Sequence, residues 1–182
     1  MSGNTGAFDT SIYMNQIEKQ KAFDALYTEY VDSLYRFCYF RTNSSEVAED
    51  SVQDVFLSLW KEISRGVVVE YPKTWLYTAM RNKIIDYYRK KKSLSLDAKM
   101  EDQYFEPVET NTHIELDTEI RLLTRYVESI EDDTDREVLL LRYVNDLSMD
   151  DIADITGSTS NAVTVRIHRA TKKLKELYYA KG

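Results

Sequence analysis

The segment covering residues 134–174 constrains this chain most strongly, because its capping and turn residues predict three short helices with tight joints. Ser148 and Asp151 have the spacing of a capping box, which satisfies the free N–H groups at the start of a helix. Gly157 follows an apolar run, at a point where a left-handed helix stop favours glycine. Thr159 can then cap the last of the three helices.

The last of these helices has two different faces. Apolar residues recur on one face at steps of three and four and are predicted to be buried: Val163, Ile167, Ala170, Leu174 and Leu177. Other residues are predicted to face outward: Asn161, Thr164, Val165, His168 and Arg169. Two helices joined through a glycine turn, the second with a polar outer face, indicate a helix-turn-helix that can enter the DNA major groove. A helical hairpin that binds protein, or nothing, is the alternative.

Basic residues are clustered, although the net charge is -7. Beyond Val165 the chain carries six basic residues against one acid, and residues 81–92 have the same balance. Residues 97–119 hold eight acids against one base. Since local patches rather than the sum decide phosphate binding, two basic helix ends favour a nucleic-acid partner over a solvated face without a ligand.

The composition excludes several functional classes. The chain has 182 residues, 43% of them hydrophobic and 30% charged, as expected of a folded protein. Apolar runs are too short for stable membrane insertion, and the first residues do not resemble a secretory signal. Cys38 is the only cysteine and is expected to be buried, while His113 and His168 are too far apart for a metal site. These features predict a cytoplasmic protein.

No catalytic chemistry is predicted. The sequence has no glycine-rich phosphate loop, nucleophile elbow or pair of metal ligands. Paired carboxylates such as Asp150 and Asp151 fall at helix starts, where capping and the helix dipole explain them. We therefore expect a protein that is not an enzyme and that needs no cofactor or metal.

The predicted fold class is all-α, with two small helical domains joined by an acidic flexible linker. Residues 1–14 are predicted to be a disordered leader, and residues 15–92 an N-terminal helical domain. The acidic segment 93–113 contains proline and lacks periodicity, so it is predicted to be the linker. Residues 114–182 then form the helix-turn-helix domain, which begins with a helix through Ile130.

Three helices are predicted within the N-terminal domain. The first covers residues 17–41, and Asn43 with Glu46 three residues later can cap the second. The third begins near Pro72 and ends in the basic run at residues 89–92, next to the negative pole of the helix. In the C-terminal domain, Thr134 and Glu137 also have capping-box spacing. Trp75 is assigned to the core.

Three segments, taken in order, resemble the extracytoplasmic-function group of bacterial sigma factors. They are AEDSVQDVFLSLWKEI at residues 48–63, KTWLYTAMRNKIIDYYRKKK at 73–92, and DREVLLLRYVNDLSMDDIADITGSTSNAVTVRIHRATKKL at 135–174. The resemblance implies two helical domains that bind core RNA polymerase and promoter DNA and direct transcription initiation. It also implies an anti-sigma factor as a partner, and a linker that threads toward the polymerase active centre.

By the same resemblance, the second helix would bind the polymerase clamp through Gln53, Asp54, Val55, Phe56, Leu59 and Trp60. The alternative is that the four apolar members only fill the core. We expect both, with Gln53 and Asp54 facing the clamp. The third helix would open and read the promoter's minus-ten element through Arg81, Asn82, Lys83, Asp86, Tyr87, Arg89 and Lys90, with residues 64–71 as the matching loop. Core packing is the alternative for Tyr87 and Tyr88.

The C-terminal domain would read the minus-thirty-five element through Thr159, Ser160, Asn161, Thr164, Val165, Arg166, His168, Arg169 and Lys172. Family members often have VKSRLHRA where this chain has VTVRIHRA at residues 163–170, so the bases that it reads are not implied. Val165 can contact a thymine methyl group. Arg166, Arg169 and Lys172 are expected to hold phosphates, which position the helix without specifying sequence.

Two other functions remain as alternatives. A stand-alone helix-turn-helix regulator would bind DNA without polymerase, as a dimer on a palindromic site, but it leaves the basic third helix and the acidic linker without a role. A helical interaction protein of the same fold would bind no nucleic acid. A gel-shift assay with and without core polymerase distinguishes all three.

Overall fold

The computed structural model describes residues 16–97, 130 and 132–180. Its helices are α1 (Gln16–Thr42), α2 (Ser45–Ser64), α3 (Pro72–Asp97), α4 (Asp133–Leu139), α5 (Met149–Thr156) and α6 (Ser160–Ala180). A π-helical segment, Leu140–Val144, follows α4 directly. No strand occurs in these residues, and the predicted all-α class with two helical domains is confirmed. The predicted leader and residues 98–129 lie outside the described residues.

The N-cap of α2 lies one residue later than predicted. Asn43 does not cap α2: it has a left-handed backbone with φ of 50°, and its N–H donates to the carbonyl oxygen of Tyr39 at 2.7 Å. It therefore ends α1, a position where asparagine substitutes for glycine. Ser44 is the N-cap of α2, and its side chain accepts from the N–H of Val47 at 3.3 Å.

Helix α3 begins at Pro72, as predicted, but continues past the basic run to Asp97. Residues 93–97, which the sequence assigned to the linker, are therefore helical. No glycine or proline interrupts this stretch, so nothing in the backbone stops the helix at Lys92. The acidic composition that suggested a linker begins only at the last residue of this helix.

The start of α4 also corrects a prediction. The Thr134–Glu137 pair does not form a capping box, because Asp132 is the N-cap and accepts from the N–H of Asp135 at 2.8 Å. Glu137 is instead buried, with 4% of its surface exposed, and faces two arginines of the N-terminal domain. Tertiary ion pairing has replaced the local hydrogen bond that the spacing suggested.

The predicted helix-turn-helix is present in the structure. Ser148 and Asp151 form the full capping box at the start of α5. Gly157 ends that helix with φ of 65°, and the N–H of Ser158 donates to the carbonyl oxygen of Ala153 at 2.8 Å. The hydroxyl of Thr159 accepts from the N–H of Ala162 at 3.2 Å and caps α6. These local contacts fix the angle between the two helices.

The helix that precedes this motif is buried on more than one side. Leu139, Leu140 and Leu141 are consecutive, and all three are fully buried. Three consecutive helical residues span roughly 200° of the helix surface, so burial of all three requires neighbours on opposite sides. Helix α6 packs against α4, while α1 of the N-terminal domain packs against the π-helical segment. The two domains are therefore in contact, which the sequence did not predict.

A single apolar core runs through both domains. Leu34, Phe37, Leu59, Leu76 and Met80 are among its fully buried members in the N-terminal domain. In α6 the predicted stripe is buried at Val163, Ile167 and Ala170 and half-buried at Leu174, while the side chain of Leu177 lies outside the described residues. Trp75 packs against this core, as predicted. Cys38 is buried as predicted, and burial raises the pKa of its thiol.

Membrane insertion requires about 20 consecutive apolar residues. Across residues 16–97 and 132–180, no helix combines that length with enough apolar character to cross a bilayer.

Candidate functional site

The outer face of α1 and α2 contains an apolar groove. It has a volume of about 600 Å³ and is lined by Gln20, Phe23, Tyr27, Gln53, Asp54, Phe56, Leu57 and Trp60. Four of the six predicted polymerase contacts therefore line it. The other two, Val55 and Leu59, are fully buried in the core. One amphipathic helix can serve both purposes, because helical periodicity places some of these residues on its inner face and the others on its outer face.

The residues that line this groove differ widely in exposure. Phe56 is only 3% exposed, with its ring centroid 4.8 Å from that of Tyr27 and 6.1 Å from that of Phe23. Leu57, by contrast, is 52% exposed. The sequence reasoning missed Leu57 because it falls off the buried stripe of α2. An apolar residue on the outward face of an amphipathic helix was the available signal.

The basic part of α3 is partly engaged in ion pairs. Lys83 Nζ lies 2.6 Å from Asp54 Oδ2 of α2, so a predicted DNA contact pairs with a predicted polymerase contact. Arg89 pairs with Asp86 one turn away, at 3.0 Å. Arg81 is also paired, with Glu137 of the C-terminal domain at 3.0 Å. Asn82 and Lys90 are exposed.

The two tyrosines of α3 take intermediate positions. Their ring centroids are 5.3 Å apart, with the ring planes at 63°. Tyr88 is 39% exposed, and its hydroxyl donates to the carbonyl oxygen of Arg41 in α1. Burial raises the pKa of Tyr88. Tyr88 therefore anchors α3 to the end of α1, whereas Tyr87 is half-buried.

A second groove lies between the loop at residues 64–71 and the N-terminal half of α3. Its volume is also about 600 Å³, and it is lined by Glu62, Val67, Val68, Val69, Glu70, Tyr71, Thr74, Trp75, Thr78, Ala79 and Asn82. Val68 and Tyr71 are 75% and 73% exposed. Exposed apolar and aromatic groups beside carboxylates suit a neutral planar ring better than a phosphate, which the carboxylates would repel.

The outer face of α6 presents the predicted recognition surface to solvent. All five residues predicted to face outward are exposed, and Val165 is 52% exposed among polar neighbours. The hydroxyl of Thr164 donates to the carbonyl oxygen of Ser160 at 2.8 Å. Ser160 itself donates to a carboxylate oxygen of Asp150. This face combines apolar groups with an exposed imidazole and guanidinium.

Two cations of α6 are held by α4. Arg166 Nη1 lies 3.5 Å from Asp135 Oδ1 and 3.9 Å from Asp132 Oδ1, and Lys173 Nζ lies 2.8 Å from Asp135 Oδ2. The hydrogen bond from the N–H of Asp135 keeps the pKa of Asp132 below its usual range, with Arg166 contributing in the same direction. Arg169 is exposed and forms none of these contacts, so it is the more accessible guanidinium of the two.

Comparison with known protein families assigns both halves of the chain. Residues 26–94 match the family described as Sigma-70 region 2, and residues 132–174 match Sigma-70, region 4. The first match covers most of α1, all of α2 and most of α3, with the second groove and all of the first groove except Gln20 and Phe23. The second covers α4 to most of α6, with the helix-turn-helix.

Curated relatives match over most of their length. The ECF RNA polymerase sigma factor SigM of Bacillus subtilis is 30% identical over 158 residues, which are 85% of this chain and 94% of that protein. SigW, another ECF RNA polymerase sigma factor of the same organism, is 28% identical over 178 residues, which are 90% of this chain and 93% of that protein.

Solved structures share the fold. The sigma factor RpoE in complex with the anti-sigma factor NepR from Bartonella quintana superposes with a TM-score of 0.65 at 23% identity, over 87% of this chain and 98% of that chain. CnrH in complex with the cytosolic domain of CnrY has a TM-score of 0.63 at 23% identity, over 90% of this chain and 91% of that chain.

Proposed function

This chain belongs to the extracytoplasmic-function family of RNA polymerase sigma factors, and from that premise we propose which of its surfaces carry each contact. As a sigma factor it binds core RNA polymerase and directs transcription initiation at promoters. We assign the polymerase clamp to the groove of α1 and α2, the minus-ten element to the groove beside α3, and the minus-thirty-five element to the outer face of α6. The observation that carries the assignment is that three accessible surfaces of different chemistry occur on one chain.

Transcription reconstituted from purified components tests the whole assignment. Core polymerase with this protein is expected to initiate at a specific promoter, and core polymerase alone is not. A stand-alone regulator would shift promoter DNA equally well without polymerase, and a decoy would shift none in either condition. We propose that the protein acts in the cytoplasm, that it is not an enzyme and that it needs no cofactor.

The groove beside α3 is proposed to hold an unstacked base of the opened minus-ten element. Bases that leave the helical stack bind aromatic and apolar side chains, and base–aromatic stacking contributes roughly 1–3 kcal/mol per base. Tyr71 and Val68 project into solvent at its edge. Asn82 also lines this groove and can donate or accept a hydrogen bond with a base edge.

Tyr71→Ala is expected to slow promoter opening by roughly 5- to 150-fold, since the lost stacking corresponds to about 1–3 kcal/mol. Polymerase binding should be unchanged, because Tyr71 lies away from the α1–α2 groove. Permanganate reactivity of unpaired thymines measures opening. Tyr71→Phe, which keeps the ring, should open promoters as the wild type does, and equal opening by the alanine variant would show that no base stacks on Tyr71.

The outer face of α6 is proposed to lie in the major groove of the minus-thirty-five element. Val165 can contact a thymine methyl group, and the exposed side chains of Thr164 and His168 flank it. Arg169 and Lys172 are proposed to contact phosphates, which orient the helix. Arg166 is expected to contribute less to phosphate binding, because DNA must compete with Asp135 for its guanidinium.

Arg169→Ala is expected to reduce promoter affinity of the holoenzyme uniformly across promoter sequences. The slope of log affinity against log salt should fall by about 0.9, the value for one phosphate contact on duplex DNA. A filter-binding titration over several salt concentrations measures it. Arg166→Ala should also lower the slope, as predicted from the sequence. Asp154→Ala, an exposed change on α5, serves as the control, and an unaltered slope in Arg169→Ala would remove Arg169 from the phosphate contacts.

Regulation by an anti-sigma factor is proposed for this chain as well. Both solved structures of similar fold are complexes with a partner protein, and in the first of them the sigma factor RpoE is bound to the anti-sigma factor NepR. A partner that covers either groove or the outer face of α6 would block the contact assigned to that surface. Co-purification of the protein from its own cells under conditions where its promoter is silent would identify such a partner.

A further inference from the structure

Two cations of α6 lie on the side of the helix that faces α4, away from the face proposed to read bases. Arg166 and Lys173 are seven residues apart, which is close to two full turns of a helix, so they project from the same side. The exposed Val165 lies about 100° from Arg166 around the helix axis. The side chains of Arg166 and Lys173 are 42% and 48% exposed, so both are accessible to a phosphate beside α6.

Asp135 of α4 contacts both of these cations. Its Oδ1 is 3.5 Å from Nη1 of Arg166, and its Oδ2 accepts a hydrogen bond from Nζ of Lys173 at 2.8 Å. The side chain of Asp135 is 6% exposed. Asp132, the N-cap of α4, adds a second carboxylate at 3.9 Å from Arg166. The charges of these four residues therefore cancel, and the α4 side of α6 offers little net positive charge.

Other cations of α6 are held less firmly. Lys172 Nζ lies 4.0 Å from Glu176 Oε1, and both side chains are largely exposed, so this pair is weak. Arg169 is exposed as well. Beyond Val165 the sequence carries six basic residues, and α4 neutralises two of them. The basic composition of this segment therefore overstates the charge that is available to DNA.

A buried carboxylate competes well with DNA phosphates for these cations. Salt screens the attraction between exposed charges, whereas partly buried pairs are screened much less. A phosphate that captured Arg166 or Lys173 would also leave the carboxylate of Asp135 buried without that partner, which is strongly unfavourable. Guanidinium and ammonium groups form the same charge-assisted hydrogen bonds with either anion, so screening and burial decide between the two.

We propose that Asp135 is a positioning residue that withholds Arg166 and Lys173 from DNA phosphates and so limits the sequence-independent part of promoter affinity. The proposal rests on the proposed function, in which α6 lies in the major groove. Phosphate contacts carry no sequence information, so the limit applies equally to cognate and unrelated DNA. Because a genome offers roughly 10⁶–10⁹ competing sites, weaker phosphate binding leaves more holoenzyme free to reach promoters. The pairs lie within one domain, so the limit does not depend on how the two domains are arranged.

Asp135→Asn in the full chain, assembled with core polymerase, tests the release of both cations. Asparagine keeps the shape of the side chain but removes its charge. The slope of log affinity against log salt is expected to steepen by up to about 1.8, the value for two additional phosphate contacts. A fourfold fall in salt concentration should then raise the affinity of the variant relative to the wild type by up to about 12-fold. Filter binding should show equal gains for a promoter and for the same promoter with its minus-thirty-five element scrambled.

Further variants separate the release of cations from a change in structure. Arg166→Gln is expected to lower the slope by about 0.9 in the Asp135→Asn background and by clearly less in the wild type. A residue that only stabilised the fold would not produce this difference between backgrounds. Asp154→Asn, an exposed change on α5, removes the same charge from the domain and should leave the slope unaltered. Thermal unfolding measures the stability of each variant.

Lys173→Gln keeps the proposal testable even if Asp135→Asn does not fold, because the side chain of Lys173 is half exposed. In the wild-type background it should leave the slope nearly unchanged, since Asp135 already withholds Lys173. A fall of about 0.9 would overturn the proposal, as would an unaltered or shallower slope in folded Asp135→Asn. Failure of the proposed function is distinct: a wild-type holoenzyme with equal affinity for the promoter and its scrambled version would refute the minus-thirty-five assignment, whatever the slopes.

Discussion

Leu57→Asp is expected to abolish assembly with core RNA polymerase while leaving the fold intact. Leu57 is 52% exposed at the rim of the α1–α2 groove, so a carboxylate there remains hydrated in the free protein and costs little stability. In a complex the same carboxylate would be buried without a partner. An apolar anchor at an interface contributes about 2 kcal/mol or more, and an unpaired buried charge adds several more, so affinity should fall by more than about 100-fold.

Co-purification with core polymerase and thermal unfolding of the free protein measure the two effects separately. Val68→Asp is the matched control, because Val68 is 75% exposed on the loop beside the other groove. It should bind polymerase normally and fail in promoter opening. A Leu57→Asp variant that still assembles with core polymerase would refute the assignment of the clamp to this groove.

Phe56→Ala is expected to show the largest loss of stability, about 3–5 kcal/mol, as for other buried aromatic side chains replaced by alanine. The ring of Phe56 is 3% exposed and contacts the rings of Phe23 and Tyr27, so alanine would leave a cavity between α1 and α2. Urea unfolding measures the change. Loss of polymerase binding in this variant would then reflect unfolding as much as a missing contact.

Phe56→Leu separates these two explanations. Leucine keeps most of the apolar volume, so the free energy of unfolding should fall by less than for alanine, by about 1–2 kcal/mol. If Phe56 acts only through packing, the folded leucine variant should bind core polymerase as the wild type does. The double replacement of Asp54 and Phe56 is expected to abolish polymerase binding, and Asp54→Asn alone isolates the polar part of that contact.

Local signals in the sequence identified most helices and the motif at the C-terminus. The capping box at Ser148, the glycine at position 157 and the proline at position 72 act within one helical turn, so their neighbours in the chain suffice to interpret them. The buried stripe of α6 was likewise readable, because helical periodicity needs no knowledge of the partner that covers the stripe.

Two capping predictions were wrong because the same residue type is suited to more than one structural role. Asn43 was predicted to cap α2 but ends α1, because asparagine is suited both to an N-cap and to the left-handed position after a helix. Glu137 had the spacing of a capping box but is drawn into an ion-pair cluster by Arg41 and Arg81, which are distant in the chain. Sequence spacing shows the possible capping hydrogen bond but not the arginines that compete with it.

The structure shows which of the predicted site residues are accessible, which the sequence could not. Helix α2 was predicted to bind polymerase through a set of residues that includes Val55, which is buried, and omits Leu57, which is exposed. On α3, Arg81 and Lys83 were assigned to DNA from charge and resemblance, and the structure pairs each with a carboxylate. Their proposed DNA contacts must displace those partners.

The sequence by itself determined the helices, the glycine-joined motif, the basic helix ends and the family, because each depends on neighbours within a few residues or on the order of segments. Only the tertiary structure decided which charges are free. Charges of one sign on α1 and α3 meet charges of the opposite sign on α4 and α5 when the domains dock. Coulomb attraction and desolvation act through space, so Arg81 and Glu137 form an ion pair although they are 56 positions apart in the chain.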